Sequence, residues 1–449
     1  MIRIVFVLGL ALFALFFGAG NLIFPIKLGW QSGSSFYPAV IGFLITGVGI
    51  PLLGLIASST SPGGIPEILD KKVSKWFSFL LITSIYLTIG PLFAIPRTAT
   101  TSYTIGVAPH LQADSNIYLL VFSVIYFLIV LIFSLKPSEM VERIGRFLTP
   151  ALLLVIGILC TVAFFKLNTT VTELQGSATA YRNPFTEGFT QGYLTMDAIA
   201  SVTFSIISLT VLRAAGITEK SKILKYSSLA ALVSGICLVI VYIGLGWIGN
   251  HYPLSTEQLN WITQNEMHEG AYILANASNT LLNTLGPIVV SLIVTLACLT
   301  TAIGLTVAIS SFFANLLGSY IPKLNYNFCV YFFTLTSLIL SNQGLNQVIS
   351  ASIPILNILY PITILIIFIV LFNEVIHIPK IAFQITVITT SLISISNVLF
   401  QNMSKQIFTP FYNALGIPIS DLTFSWIIPA IITLIIGYLI AYIRRGTDE

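Results

Sequence analysis

Charge is what this sequence has least of. Of its 449 residues only 8% are Asp, Glu, Lys or Arg, 56% are hydrophobic, and the mean hydropathy is +0.95. Soluble domains carry roughly 25% charged residues, so these figures exclude a soluble globular protein and indicate a polytopic membrane protein. Cysteine is also scarce. Cys160, Cys237, Cys298 and Cys329 each lie in an apolar segment without paired spacing, which excludes a disulfide framework or a cysteine-based metal site. His110, His251, His268 and His377 are scattered through polar stretches and read as solvated loop residues. No GxxxxGK[ST] loop is present, so the chain does not hydrolyse ATP and no ATPase subunit is required. HExxH, GxSxG and a catalytic dyad are missing too, which argues against an enzyme and leaves no catalytic residue to name. The net charge of +4 reflects topology and not a nucleic-acid footprint.

Long apolar runs are abundant. A membrane-spanning helix needs about 20 mostly apolar residues. On that basis the sequence predicts twelve spans, at 4–30, 36–58, 76–104, 115–135, 145–166, 188–213, 225–249, 284–317, 326–341, 345–373, 379–399 and 422–443. A signal peptide ending at Gly18-Ala19-Gly20 is the other reading of the first run, but Leu22-Ile23-Phe24 resumes it at once. Basic residues test the count. With the N-terminus inside, the cytoplasmic segments hold Arg3; Lys71, Lys72 and Lys75; Lys136, Arg143 and Arg146; Arg213, Lys220, Lys222 and Lys225; Lys323; Lys380; and Arg444 and Arg445. Outer segments hold only Lys166, Arg182 and Lys405. This bias places both termini in the cytoplasm. The outer segment 250–283 has no Lys or Arg, and its part from Glu269 onward is expected to form a short helix over the outer mouth.

The first span is interrupted. Gly18-Ala19-Gly20-Asn21 and Pro25 fall where the bilayer midplane should be. Glycine and proline disfavour helix, and backbone freed in hydrocarbon is tolerated only inside protein or beside a cavity. A broken helix of this kind points to the substrate and ion site of a secondary transporter. Gly90-Pro91 and Pro96 predict a second kink in the third span. The run of spans allows a five-plus-five inverted repeat, 1–166 and 188–373, followed by two further helices in 379–449. An odd number of spans per half pairs the first span with the sixth.

Asp197, the only acidic residue deep in a span, lies about nine residues into the sixth, ~13 Å below the outer surface at 1.5 Å per residue. It either attracts Na⁺, a proton or a substrate ammonium, or caps a helix break. Arg97, toward the outer end of the third span, is a candidate gate, a clamp for a substrate carboxylate, or a snorkelling structural residue. Lys27 reads as an interfacial snorkeller. In the eighth span Ala297-Cys298-Leu299-Thr300-Thr301 offers hydroxyls and a carbonyl, the oxygen donors a small hard cation requires. An ion channel and a membrane-embedded enzyme are the alternatives from other classes. The first lacks a repeated filter motif or acidic ring, and the second lacks clustered His, Asp or Ser.

Leu12 to Pro25 resembles the opening of the bacterial branched-chain amino acid:cation symporters, the BrnQ-type carriers. So do Gly90 to Thr100, Gly192 to Asp197 and Cys298 to Thr306, in order over essentially the whole chain. The resemblance implies symport of leucine, isoleucine and valine with Na⁺, or with H⁺ in some members, across the bacterial cytoplasmic membrane. Another small apolar amino acid is the remaining alternative for the substrate. Family members often carry Glu at the position of Thr104, which puts proton coupling there in doubt, and an apolar residue is common at the position of Lys27. More distantly the pattern is similar to the LeuT fold, with its unwound first helix. That likeness implies a substrate site at Gly18, Ala19, Gly20, Asn21 and Asp197, where the Ala19 and Gly20 amides face the carboxylate. It implies a Na⁺ site at Ala14, Phe17, Ala297, Thr300 and Thr301, and a second ion site at Asn21, Thr195 and Asp197. No cofactor beyond the coupling ion and no metal beyond Na⁺ is expected; the partners are the amino acid and the lipid bilayer, and not nucleic acid.

Overall fold

The computed structural model describes residues 2–111, 116–135, 149–167, 183–264, 267–283, 285–317, 324–414 and 422–447. Among these the chain is all-helical, with no strand. In chain order the α-helices are α1 (Ile2–Phe16), α2 (Ala19–Ser32), α3 (Phe36–Leu44), α4 (Ile50–Ser58), α5 (Gly64–Lys72), α6 (Lys75–Leu87) and α7 (Ala94–Gly106). Then come α8 (Asn116–Ser134), α9 (Thr149–Lys166), α10 (Pro184–Tyr193), α11 (Asp197–Ala214), α12 (Lys220–His251), α13 (Thr256–Gln264) and α14 (Glu269–Leu282). The chain closes with α15 (Leu285–Leu317), α16 (Tyr326–Ser341), α17 (Leu345–Val375), α18 (Lys380–Leu399), α19 (Gln401–Ala414) and α20 (Ile427–Thr447).

Each predicted apolar segment carries helix among its described residues, and the breaks at Gly18 and at Gly90 fall where glycine was expected to place them, whereas Pro25 and Pro96 lie inside α2 and α7. By length and apolarity, ten helical stretches among the described residues qualify as membrane spans, one of them the run Ala19–Ser58; Arg3–Phe16 and Tyr326–Ser341 are apolar but shorter. The predicted cations Lys136, Arg143, Arg146, Arg182 and Lys323 lie outside the described residues. The kink expected in the third segment is a π-helical turn at Thr88–Leu92, where Gly90 leaves helical geometry (φ −92°, ψ −124°) just before Pro91. A second π turn, Ile45–Gly49, separates α3 from α4.

The most buried helices surround the two interruptions. Phe13, Phe16, Phe17, Phe24, Phe204 and Tyr242 are almost fully enclosed. α1 and α2 pack along α12, α7 packs along α15, and α14 lies on both α2 and α15. Leu120, Ile125, Leu154, Phe165, Leu335 and Ile436 are among the large apolar side chains left exposed on the periphery. A patch of that extent outside a packed interior is what a lipid-facing surface presents.

Candidate functional site

An α-helix leaves its last four carbonyls without intrahelical partners. At the end of α1 these carbonyls turn toward α15. The Thr301 hydroxyl stands 3.4 Å from the Ala14 carbonyl and 3.5 Å from those of Leu15 and Phe17. One hydroxyl proton cannot satisfy three acceptors, and all three distances are long for an O–H···O bond. The cluster therefore holds an excess of lone pairs, which suits a small cation coordinated by oxygen. Gly18 makes the approach of α15 possible, since a Cβ there would lie 3.0 Å from the Thr301 side chain. Thr300 has a different immediate partner. Its hydroxyl donates back to the Ala297 carbonyl at 2.8 Å, and Thr300, Ala297 and Ala14 line a lateral apolar cavity of about 140 Å³ against α9.

The second interruption faces the first. Between α10 and α11, Met196 adopts a left-handed conformation (φ 68°), which is strained for a non-glycine residue. The turn carries Asp197 to the first position of α11, in the protein interior. Asp197 Oδ2 accepts from Asn21 Nδ2 at 2.6 Å and from the Tyr242 hydroxyl at 2.9 Å. Asn21 Nδ2 also contacts the Tyr242 hydroxyl. The amide oxygen of Asn21 accepts from the Gly18 N–H at 3.2 Å and so caps α2. Thr195 stays close, accepting from the Asp197 N–H at 3.4 Å and donating to the Gly192 carbonyl at 2.8 Å. A buried network of this kind ties together α2, α11 and α12. Tyr242 is the member that the sequence did not reveal, because a tyrosine in an apolar run has no distinguishing pattern.

Arg97 completes the site and is not a snorkelling residue. It is 3% exposed, its Nη1 donates to the Leu194 carbonyl at 2.5 Å, and its Nη2 donates to the Thr195 carbonyl at 3.2 Å. It thus satisfies the carbonyls freed by the second break. Its Cζ lies 5.4 Å from the centroid of the Phe24 ring. A Cβ on Gly20 would come within 2.7 Å of Arg97 Nη2, so Gly20 leaves room for the guanidinium. Arg97, Asp197, Gly18, Ala19, Thr195 and Thr301 line one central cavity with Ile89, Ala94, Ala200, Phe204 and Leu305. Its volume is about 20 Å³, enough for about one water. Beyond Arg97, toward α14, a wider chamber of about 360 Å³ is lined by Thr100, Tyr103, Thr104, His268 and Gln347 among others.

Two further expectations change. Lys27 pairs with Glu269 at 2.9 Å, joining α2 to α14, where a snorkelling side chain was expected. His251 and His268 are buried and not solvated: His251 stacks on Trp247, and His268 meets the edge of Phe24. His377 is exposed as expected.

Comparison with known proteins gives this geometry a family. Residues 2–444 match the family described as branched-chain amino acid transport protein. The chain belongs to that family. A protein of Staphylococcus saprophyticus named as a candidate branched-chain amino acid carrier is 42% identical over 437 residues, 97% of this chain and 96% of its own length. A Staphylococcus aureus protein of the same description is 42% identical over 436 residues, with the same shares covered. Among solved structures, MhsT in complex with L-phenylalanine has a TM-score of 0.57 at 13% identity, covering 96% of this chain and 98% of that one. A manganese transporter of Eremococcus coleocola gives 0.58 at 13%, covering 98% and 95%. A nucleobase–cation symport-1 transporter, closed with bromovinylhydantoin bound, gives 0.56 at 12%, covering 96% and 92%. These likenesses establish a LeuT-type transporter fold for the family member described here, and the carriers among its relatives point away from an enzyme.

Proposed function

We propose that this protein takes up branched-chain amino acids by symport with Na⁺ across the bacterial cytoplasmic membrane, through twelve crossings with both termini inside. Its core is an inverted repeat of 1–166 and 188–373, with 379–449 added outside it. The observation that carries the reading is the convergence of two interrupted helices: carbonyls at the end of α1 face Thr301, and the start of α11 presents Asp197 to the same cavity. In this reading Na⁺ sits among the carbonyls of Ala14 and Phe17 and the hydroxyl of Thr301, with Thr300 and Ala297 on its flank. Asn21, Thr195 and Asp197 form a second cation or substrate-ammonium site. The substrate's aliphatic side chain lies against Ile89, Ala94, Ala200, Phe204 and Leu305, which line the cavity. α14 then belongs to the outer face, and the wider chamber is the outer vestibule.

A monovalent cation moving inward gains about 2.3 kcal/mol per 100 mV of membrane potential, besides its concentration term. Proton coupling is the second reading. The specific observation in its favour is that the hydrogen-bond partners of Asp197, namely Asn21, Tyr242 and Thr195, are neutral and no ion pair among the described residues includes it, so a bound proton balances the site as well as Na⁺ does. Leucine uptake into proteoliposomes with separately imposed Na⁺ and pH gradients decides between them. Accumulation driven by a Na⁺ gradient at equal pH supports the first reading, and accumulation driven only by a pH gradient supports the second. Failure of both gradients to drive leucine, isoleucine or valine removes the symport assignment.

A further inference from the structure

Arg97 is a buried cation in contact with no anion. Its two partners are neutral carbonyls, and no ion pair among the described residues includes it. A guanidinium has five N–H donors in one plane. Two are used on Leu194 and Thr195, and Nε, buried, has no acceptor. A buried, unsatisfied donor on a charged group is costly. Beside the central cavity, that cost is removed by an acceptor arriving with a ligand. The bare Cα of Gly20 brings the start of α2 against the same guanidinium, and Ala19 and Arg97 line the same cavity.

We propose that Arg97 binds the carboxylate of the transported amino acid through its free donors while keeping its hold on the second helix break. This rests on the transport reading above and adds the residue that recognises the acid end of the zwitterion. The polarity of the cavity agrees with it: Asp197 is the carboxylate and Arg97 the cation among the residues that line it. An amino acid carries one group complementary to each. Arginine suits the task better than lysine, because its planar fork can hold two carbonyls and still offer a donor, whereas an ammonium is a point charge.

The test compares L-leucine with leucinol, which keeps the ammonium and the isobutyl group but replaces the carboxylate with a neutral alcohol. Binding of each to the purified full-length protein is measured by calorimetry at saturating Na⁺. The wild type is expected to prefer leucine strongly. Arg97→Gln should lower leucine affinity on the order of 100-fold, as loss of one partner of a buried charged contact does, while leucinol affinity stays near its wild-type value. Gly20→Ala keeps the charge but presses a Cβ onto the guanidinium, and should cause the same selective loss; it also serves if Arg97→Gln does not fold. Equal losses for leucine and leucinol in these variants would confine Arg97 to holding the Leu194 and Thr195 carbonyls and overturn the proposal. So would a wild type that binds both ligands alike. A wild type that binds neither would instead overturn the amino-acid transport reading itself.

Discussion

At the scale of single residues, Thr301 and Thr300 are neighbours with different surroundings. Thr301 faces the freed carbonyls of α1, whereas Thr300 is occupied by the Ala297 carbonyl of its own helix. Thr301→Ala should therefore weaken Na⁺ activation of leucine uptake by about tenfold or more, at least what the loss of a metal site's supporting contact costs. Thr300→Ala should shift it less. Na⁺ titrations of uptake by the two variants check the order, and an equal response would mean that the ion sits elsewhere. Tyr242→Phe removes one of the two hydrogen bonds that Asp197 Oδ2 accepts and leaves the ring in place. A hydrogen bond to a charged group contributes about 1.5–3 kcal/mol, so this variant should change the ion dependence of uptake in the same direction as Asp197→Asn, by a smaller amount. Asp197, Asn21 and the Gly-rich break were legible in the sequence because charge, amide and glycine are unusual in a span. Tyr242 was not, since tyrosine belongs in apolar helices. The carbonyl partners of Arg97 left no trace either, because any residue supplies a carbonyl.

At the scale of elements, α14 is fastened at both ends. Glu269 in its first turn pairs with Lys27 of α2, and the Leu281 carbonyl in its last turn accepts from Lys166 of α9 at 2.8 Å. Both arrangements also complement the helix dipole. Sequence alone suggested this helix but not its fastenings, because Lys27 and Glu269 are far apart in the chain. His268, just before the helix, has its pKa pushed down to about 3, chiefly by burial, then by Lys27 and Arg97, with Glu269 opposing. Glu269 is held below its usual range: burial raises it, but the Lys27 ammonium beside it outweighs that. The unfolded chain takes a proton on histidine below pH ~6.5, and the folded chain refuses it until about 3. Stability contributed by neutral His268 is thus present above that unfolded value and is lost as pH falls through the window, about 2 kcal/mol by pH 5. Thermal unfolding of wild type and His268→Gln at pH 7 and pH 5 should show a smaller acid loss in the variant. An equal loss in both would assign the acid sensitivity to other groups.

At the scale of the whole molecule, the proposed symport places two ligands in one cavity. If leucine and Na⁺ bind cooperatively, Na⁺ raises leucine affinity by the same factor by which leucine raises Na⁺ affinity. Calorimetric titration of each ligand with and without the other should give equal factors, and both together should raise the unfolding temperature more than either alone. A factor of one in both directions would mean that the two ligands bind independently and that the cavity does not couple them. Apolar run lengths made the helical architecture legible because hydrocarbon imposes a minimum length on every crossing. They did not separate ten long helices from the twelve crossings proposed, since Arg3–Phe16 and Tyr326–Ser341 fall short of the usual length.

The contracted cavity between Arg97 and Asp197 has a consequence for solvent. At about 20 Å³ it has room for about one water, so under the proposed function it has to expand to admit leucine, and when it expands without leucine, water fills it. The empty carrier's excursion to an open form is then a hydration reaction, with several waters as reactants. Solutes excluded from the cavity lower the activity of that water and pull the empty protein toward its contracted form, as excluded osmolytes do for compact states generally. Leucine, by taking the place of those waters, escapes most of that penalty, so the loaded carrier should feel the osmotic strength of its surroundings less than the empty one.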